Sequence, residues 1–204
     1  MLGFYNYTVV LTYMGMLAAF LGILAACNGS ERTALLCLMI AGVCDMFDGT
    51  VARTRQRTPA EKRFGIQIDS LSDLISFGVL PGLILYCGDK GSVSMVIASF
   101  YVLCALIRLA YFNVMEEERQ EQTSECRACY MGLPVTVVAI VLPAMYALQA
   151  REGGAGGWMG GISLFIMSIL FLLPIKVKKP QSVGKACLAA LGLAGFLLFA
   201  GSDV

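Results

Sequence analysis

The chain has 204 residues, of which 58% are hydrophobic and only 14% are charged, and its mean hydropathy is +0.76. A soluble domain carries about 25% charged residues, so this composition is typical of a polytopic membrane protein. The net charge of +1 indicates no nucleic-acid partner, and the absence of histidine excludes histidine as a base or a metal ligand and leaves carboxylates for both roles.

Seven apolar stretches are candidates for membrane-spanning helices, which need roughly 20 mostly apolar residues. They lie at 5–27, 33–53, 66–87, 93–115, 131–149, 158–175 and 183–200. The first lacks the basic segment and the cleavage site of a signal peptide, so we expect it to be retained. The seventh is short and rich in Gly and Ala, and it is either a true span or a helix on the membrane surface. We therefore predict an all-α fold, in which residues 1–204 form a single membrane domain with six core transmembrane helices and an additional C-terminal helix.

Basic residues are distributed unevenly among the connections between these spans. The connections after spans two, four and six hold eleven Lys and Arg residues, the alternate connections hold three, and Arg108 lies inside span four. The positive-inside rule assigns the eleven to the cytoplasmic side. The sequence thus predicts a multi-pass protein of the cell membrane with a cytoplasmic N-terminus and with residues 45–73 near the cytoplasmic face.

The connection after span four contains two further features. Residues 116–125 form a charged run, which we interpret as a solvated loop or a helix that extends beyond the bilayer. Cys126 and Cys129 form a lone CxxC pair, whereas a structural zinc site usually needs four ligands. A reduced cysteine pair is therefore favoured over a metal or redox site.

Four aspartates lie in two pairs between the second and third spans. Asp45 and Asp48 have i,i+3 spacing, and Asp69 and Asp73 have i,i+4 spacing, so each pair lies on one face of a helix. An acid within a membrane is energetically unfavourable and indicates a functional site. Two helices joined by a basic connection can turn both pairs towards each other, which would bring four carboxylates to one cavity.

Small residues extend both acidic stripes. Gly49 and Ala52 follow Asp48 on its stripe, and Gly65 precedes Asp69 by one turn. These positions leave room for a flat or bulky ligand close to the backbone. Arg53, one turn after Gly49, can contact a phosphate.

Four carboxylates in one cavity would repel each other unless a cation offsets their charge. Oxygen ligands suit Mg²⁺ or Mn²⁺, with Ca²⁺ as another occupant, and two such ions can hold a pyrophosphate. The alternative is that the acids only form ion pairs with the five basic residues of the connecting loop. That alternative does not explain why acids and small residues share the same stripes.

These residues resemble the signature of a known family, the CDP-alcohol phosphotransferases, in the pattern Asp45-x2-Asp48-Gly49-x2-Ala52-Arg53 … Gly65-x3-Asp69-x3-Asp73. Members are integral membrane enzymes that move a substituted phosphate from a CDP-linked donor to an alcohol. The eleven residues between Arg53 and Gly65 make a longer gap than the family usually has. Segments 64–81, 105–114 and 130–134 resemble the phosphatidylserine synthase branch, with Tyr111 where that branch has Arg.

The resemblance implies that CDP-diacylglycerol and L-serine react to give phosphatidylserine and CMP, in a homodimer surrounded by membrane lipids. It implies that Asp73 is the base for the serine hydroxyl. The implied metal ligands are Asp45, Asp48, Asp69 and Asp73. The implied nucleotide and pyrophosphate contacts are Asp48, Gly49, Ala52, Arg53 and Gly65.

Arg108 is the other charge within a span. It is either a clamp for the serine carboxylate or a lipid phosphate, or it pairs with an acid or extends towards the membrane surface. Asn113 and Ser76 are either further partners for serine or ordinary interhelical hydrogen-bonding residues.

Other functions stay open on the sequence alone. One is an enzyme of the same family with glycerol 3-phosphate or an inositol phosphate as acceptor, or with an archaeal CDP-lipid as donor. Another is a divalent-cation transporter, although the outer halves of the spans are apolar and offer no continuous polar path.

Overall fold

The structure is a computed structural model that describes residues 3–5, 7–52, 54–122, 129–151, 158–174 and 176–178. The side chains of 119–122, 129–131, 151 and 176–178 are not part of that description. Arg53, Cys126, the glycine-rich residues 153–157 and the predicted seventh helix at 183–200 lie outside the described residues.

Helices form almost all of the described chain, which confirms the predicted all-α class. They are α1 (Tyr7–Cys27), α2 (Glu31–Ala52), α3 (Pro59–Asp73), α4 (Leu80–Asp89), α5 (Ser92–Gln122), α6 (Val138–Arg151) and α7 (Trp158–Leu172). A π-helical segment, Leu74–Val79, joins α3 to α4 without a break, and a 3₁₀ turn, Val135–Val137, precedes α6.

The protein is a polytopic membrane helix bundle. Four helical stretches are long and apolar enough to cross a bilayer, namely Tyr7–Cys27, Glu31–Ala52, Pro59–Asp89 and Ser92–Glu118. Val135–Ala150 and Trp158–Leu172 are shorter apolar helices. Each of the six predicted core spans thus contains a helix. Helix α5 continues into the charged run as far as Gln122, so of the two interpretations, loop or helix extension, the described part of the run is helical.

The third predicted span begins earlier than expected. Its helix starts at Pro59 rather than near residue 66, because Thr58 and Glu61 form a reciprocal capping box in which each side chain accepts from the other residue's backbone N–H. Pro59 suits the first helical turn, where a backbone N–H has no helical partner. The helix that carries Asp69 and Asp73 thus extends about two turns towards the basic loop.

The predicted start of the fifth span at residue 131 is wrong. Cys129–Met131 (β1) pairs antiparallel with Lys176–Lys178 (β2), so these residues are extended. Gly132 has a positive φ of 79°, and Pro134 disfavours a helical residue before it. Helical structure therefore begins only at Val135, after the proline.

Helices α1 and α2 pack closely as an antiparallel pair. A Cβ atom at Gly22 would lie 2.8 Å from the Cys37 Cβ, and one at Gly15 would lie 3.1 Å from the Cys44 Cβ. The later residue of α1 thus faces the earlier residue of α2, so the two helices run antiparallel and these contacts fix their register. Small residues at the contact let the two backbones approach, and that register brings the start of α1 to the acidic end of α2.

Candidate active site

The last two turns of α2 carry Asp45 and Asp48. Asp48 is 9% exposed and Asp45 is half-buried. Helix α2 stays regular to Ala52, so the i,i+3 spacing puts both carboxylates on one side. The close packing of α1 against α2 covers that side.

The facing helix α3 carries Asp69 and Asp73, which are both half-buried. Carboxylate oxygens of Asp45, Asp48 and Asp69 lie within 4.8 Å of one another. Asp73 lies outside this trio, but it lines a small cavity together with Asp45 and Asp48 and is within electrostatic range of the other three carboxylates. Tertiary packing thus brings together the four acids that the sequence singled out.

This donor set fits a divalent cation. Three carboxylates can each offer an oxygen to one ion, and hard oxygen ligands are those that Mg²⁺, Mn²⁺ and Ca²⁺ prefer. Part of the cavity wall is apolar, with Gly15, Ala41 and Phe77 beside the acids. Apolar surroundings strengthen the repulsion between carboxylates, and a bound cation would relieve it.

Thr12 of α1 joins the site, although the sequence analysis did not identify it. Its Oγ1 donates a hydrogen bond of 3.2 Å to Asp48 Oδ2, and the threonine is 7% exposed. The signal that could have found Thr12 is its position on the buried stripe of α1, which is otherwise made of small residues. That stripe includes Thr8, Thr12, Gly15, Ala19, Gly22 and Ala26.

Two hydrogen bonds tie α3 to α5. Ser70 Oγ donates to Asn113 Oδ1 at 2.5 Å, and Gln67 Nε2 donates to Glu117 Oε1 at 3.0 Å. The predicted acceptor residue Asn113 therefore takes part in an interhelical hydrogen bond. Its position beside Ser70, the residue after Asp69, keeps it next to the acidic helix.

The π-helical segment begins directly after Asp73. Its last turn is closed by a bond from the Leu80 N–H to the Ile75 carbonyl, five residues back. Single π-helical turns are rare in proteins overall, but those that occur often lie at functional sites. The segment carries Ser76, which is 2% exposed and lines the cavity with Asp73.

Tyr101 of α5 supports this segment and was also missed by the sequence analysis. Its hydroxyl donates a 2.7 Å hydrogen bond to the Phe77 carbonyl. In a regular α-helix that carbonyl would accept from residue 81, which is Pro81 and has no N–H. The proline was the available signal, because it implies a freed carbonyl that needs another donor.

Arg108 of α5 is 7% exposed and lies on the side of the site that faces the Gly132–Pro134 loop. Its Nε donates to the Leu133 carbonyl at 2.5 Å, and its guanidinium carbon lies 5.6 Å from the centre of the Phe112 ring. Arg108 is also within electrostatic range of Asp73. It therefore links the acidic cavity to that loop.

The small residues near the acids have different surroundings. Nothing lies within 4 Å of the position that a Cβ atom of Gly49 would take, and Ala52 is half-buried. A Cβ atom at Gly65 would lie 3.0 Å from an Nη atom of Arg57. Gly49 thus borders open space, whereas Gly65 is covered by Arg57, a loop residue without an individual role in the sequence analysis.

Comparison with known proteins gives a consistent result. The family model for CDP-alcohol phosphatidyltransferase matches residues 5–171. A CDP-diacylglycerol–serine O-phosphatidyltransferase of Mycobacterium tuberculosis is 30% identical over 207 residues, which cover 92% of this chain and 71% of the relative. An archaetidylserine synthase of Methanothermobacter thermautotrophicus is 28% identical, over 86% of this chain and 70% of the relative. A CDP-diacylglycerol–serine O-phosphatidyltransferase of Saccharomyces cerevisiae is 40% identical over 115 residues, or 54% of this chain and 41% of the relative.

Proposed function

Because the chain belongs to the CDP-alcohol phosphatidyltransferase family, we propose that it transfers the phosphatidyl group of CDP-diacylglycerol to L-serine, forming phosphatidylserine and releasing CMP. The observation that carries the reaction class is the convergence of the Asp45, Asp48 and Asp69 carboxylates beside the cavity that Asp73 lines. The choice of serine rests on the relatives, since the bacterial and yeast relatives are named for it.

In this proposal the four aspartates hold the divalent metal, Mg²⁺ or Mn²⁺ with Ca²⁺ as a further occupant. When bound, the cation would neutralise negative charge on the pyrophosphate of the donor. The trio of Asp45, Asp48 and Asp69 supports this assignment by the 4.8 Å spacing of its oxygens.

Asp73 acts as the general base. Its carboxylate accepts the hydroxyl proton of serine while the serine oxygen attacks the phosphorus that bears the diacylglycerol. The new bond joins this oxygen to phosphorus, and the bond from that phosphorus to the bridging oxygen breaks. CMP leaves with the electron pair of the broken bond. The base role is supported by the position of Asp73 in the cavity wall, next to the trio and outside it.

The nucleotide lies against the end of α2. Asp48, Gly49, Ala52, Arg53 and Gly65 form its binding surface in this proposal. The open space beside Gly49 supports the assignment, because a ligand could approach the helix backbone there. Arg57, which lies over Gly65, would have to shift for the nucleotide to reach that glycine.

Serine binds on the α5 side of the cavity. Arg108 attracts its carboxylate, and Ser76 and Asn113 supply hydrogen bonds. The support is positional, because Ser76 lines the cavity and Arg108 is within electrostatic range of Asp73. A positive charge there would also hold the serine hydroxyl near its base.

The protein acts in the cell membrane. The distribution of basic residues supports a cytoplasmic N-terminus and an active site near the cytoplasmic face. The assembly that we propose is a homodimer within membrane lipids, by analogy with the family.

A second donor rests on the name of one relative. The relative from M. thermautotrophicus is named archaetidylserine synthase, so a CDP-activated ether lipid is the alternative substrate. The acceptor stays serine in that case, and only the lipid backbone differs.

The experiment uses the purified protein in detergent with CDP-diacylglycerol and either Mg²⁺ or Mn²⁺. Serine, glycerol 3-phosphate and an inositol phosphate are added in turn, and CMP and the lipid product are followed by mass spectrometry. The proposal expects serine-dependent CMP with a product of phosphatidylserine mass, and loss of both after chelation of the metal. CMP release with another acceptor only would refute serine as the acceptor. A parallel set of reactions contains a CDP-activated ether lipid in place of CDP-diacylglycerol, and turnover in that set alone would select the second donor.

A further inference from the structure

We propose that Thr12 is a positioning residue that sets the affinity of the aspartate cluster for its divalent cation. Thr12 reaches the cluster from α1, a helix that carries none of the four aspartates. The inference rests on the metal-dependent function proposed above, but it concerns cation binding and not the choice of acceptor.

The first step of the argument is the hydrogen bond to a ligand residue. Thr12 Oγ1 donates to Asp48 Oδ2 at 3.2 Å, and Asp48 belongs to the trio whose oxygens lie within 4.8 Å. A hydroxyl donor restrains the carboxylate and leaves its negative charge intact. A lysine or arginine in the same place would compete with the cation for that charge. Outer groups that orient a metal-binding carboxylate in this way typically change metal affinity by 10–100-fold.

The second step is that the threonine is itself restrained. Its β-branched side chain has few rotamers in a helix, and its 7% exposure leaves little room to rearrange. Thr12 lies near the antiparallel seam that Gly15–Cys44 and Gly22–Cys37 fix. Its hydroxyl therefore holds Asp48 at a defined distance from α1.

The third step links Thr12 to the other acidic helix. Ser72 Oγ approaches the Thr12 carbonyl at 3.4 Å, a long hydrogen bond, and Ser72 directly precedes Asp73. Thr12 and Ser72 line the cavity together with Asp45, Asp48 and Asp73. Thr12 of α1 thus contacts both acid-bearing helices. Its side chain contacts Asp48 of α2, and its backbone carbonyl contacts Ser72 of α3.

The test measures Mn²⁺ binding without substrates. The dissociation constant is obtained from the electron paramagnetic resonance signal of free Mn²⁺, with detergent-purified wild type, Thr12→Val, Thr12→Ala and Thr12→Ser. We expect Val and Ala, which lack the hydroxyl, to raise the constant by about tenfold, and Ser to keep it within about threefold of wild type. The Ala variant provides the measurement if the Val variant does not fold.

Ser168→Ala is the matched control. Ser168 is fully buried, but its Oγ donates to the Leu164 carbonyl of its own helix, α7. Three outcomes would each overturn the inference. They are an unchanged Mn²⁺ dissociation constant in both Thr12→Val and Thr12→Ala, an equal rise of that constant in Ser168→Ala, and no Mn²⁺ binding by wild type. If wild type binds Mn²⁺ with the expected Thr12 dependence but makes no phosphatidylserine, the proposed reaction fails and the Thr12 inference stands.

Discussion

The hydroxyl of Tyr101 donates a 2.7 Å hydrogen bond to the backbone carbonyl of Phe77, four residues before Pro81. This bond supplies a donor that the proline cannot supply, inside a fully buried part of the core. Helix α5 thereby stabilises the π-helical segment that follows Asp73. Part of the geometry of the acidic helix is thus fixed from a separate helix.

Removal of this hydroxyl is expected to destabilise the protein. Tyr101→Phe removes the buried hydrogen bond to the Phe77 carbonyl, and an intramolecular hydrogen bond typically contributes about 0.5–1.5 kcal/mol to stability. Thermal unfolding in detergent should show a clear drop in melting temperature. Tyr111→Phe serves as the control, because Tyr111 is 51% exposed and lies on the same helix. Equal shifts in the two variants would contradict the role of the hydrogen bond.

Asp73→Asn is expected to abolish turnover while the protein stays folded. The amide cannot take the serine proton, and loss of a general base lowers rates by about 10²–10⁴-fold. CMP release is measured at saturating serine and metal, beside the melting temperature. Asp89→Asn is the control, since Asp89 is exposed at the end of α4. Wild-type rates in Asp73→Asn would refute the base assignment.

Gly49→Ala is expected to weaken the use of CDP-diacylglycerol without lowering the stability of the protein. Its new methyl group meets open space, and alanine is favoured over glycine in a helix by up to about 1 kcal/mol, so the melting temperature should stay equal or rise. The apparent KM for CDP-diacylglycerol should rise, because the methyl group occupies the surface proposed for the nucleotide.

Gly42→Ala is the opposite case on the same helix. Its Cβ atom would lie 2.7 Å from the Ala139 Cβ, so this variant should lose stability through a clash between α2 and α6. An unchanged KM for the nucleotide lipid in Gly49→Ala would contradict the proposed binding surface. A stable Gly42→Ala would show that the two helices separate easily.

Arg108→Ala is expected to raise the apparent KM for serine more than that for CDP-diacylglycerol. The substitution removes the buried positive charge on the acceptor side and the hydrogen bond to the Leu133 carbonyl. Arg108→Gln keeps side-chain N–H donors but not the charge, so it separates the two effects. We expect Gln to recover thermal stability and not serine affinity. An unchanged serine KM in both variants would refute the clamp.

Much of the site could be predicted from the sequence, because helical periodicity is a local property. The spacing of Asp45 with Asp48 and of Asp69 with Asp73 fixes which residues share a face once each segment is helical. Convergence of the two faces was an expectation, and Asp45, Asp48 and Asp69 do converge within 4.8 Å. The individual roles of these residues stay predictions that the experiments above test.

The errors at helix ends have local causes. The start of α3 at Pro59 depends on the reciprocal capping box of Thr58 and Glu61, and the late start of the helix after residue 131 depends on Gly132 and Pro134. These capping and turn residues were present in the sequence, but a prediction from hydropathy alone does not take them into account. A hydropathy window measures apolar length and not the satisfaction of backbone N–H groups.

The sequence by itself determined the membrane class, the helical pattern and the two acidic faces. Composition and 3.6-residue periodicity can be recognised within a single segment, without knowledge of what packs against it. Tertiary structure alone decided that Thr12 meets Asp48 and that Tyr101 meets the Phe77 carbonyl. Both contacts join separate helices. The register of the first is set by how Gly15 and Gly22 let the backbones of α1 and α2 approach. No spacing within a single helix contains that information, because the register is a property of the interface between two helices.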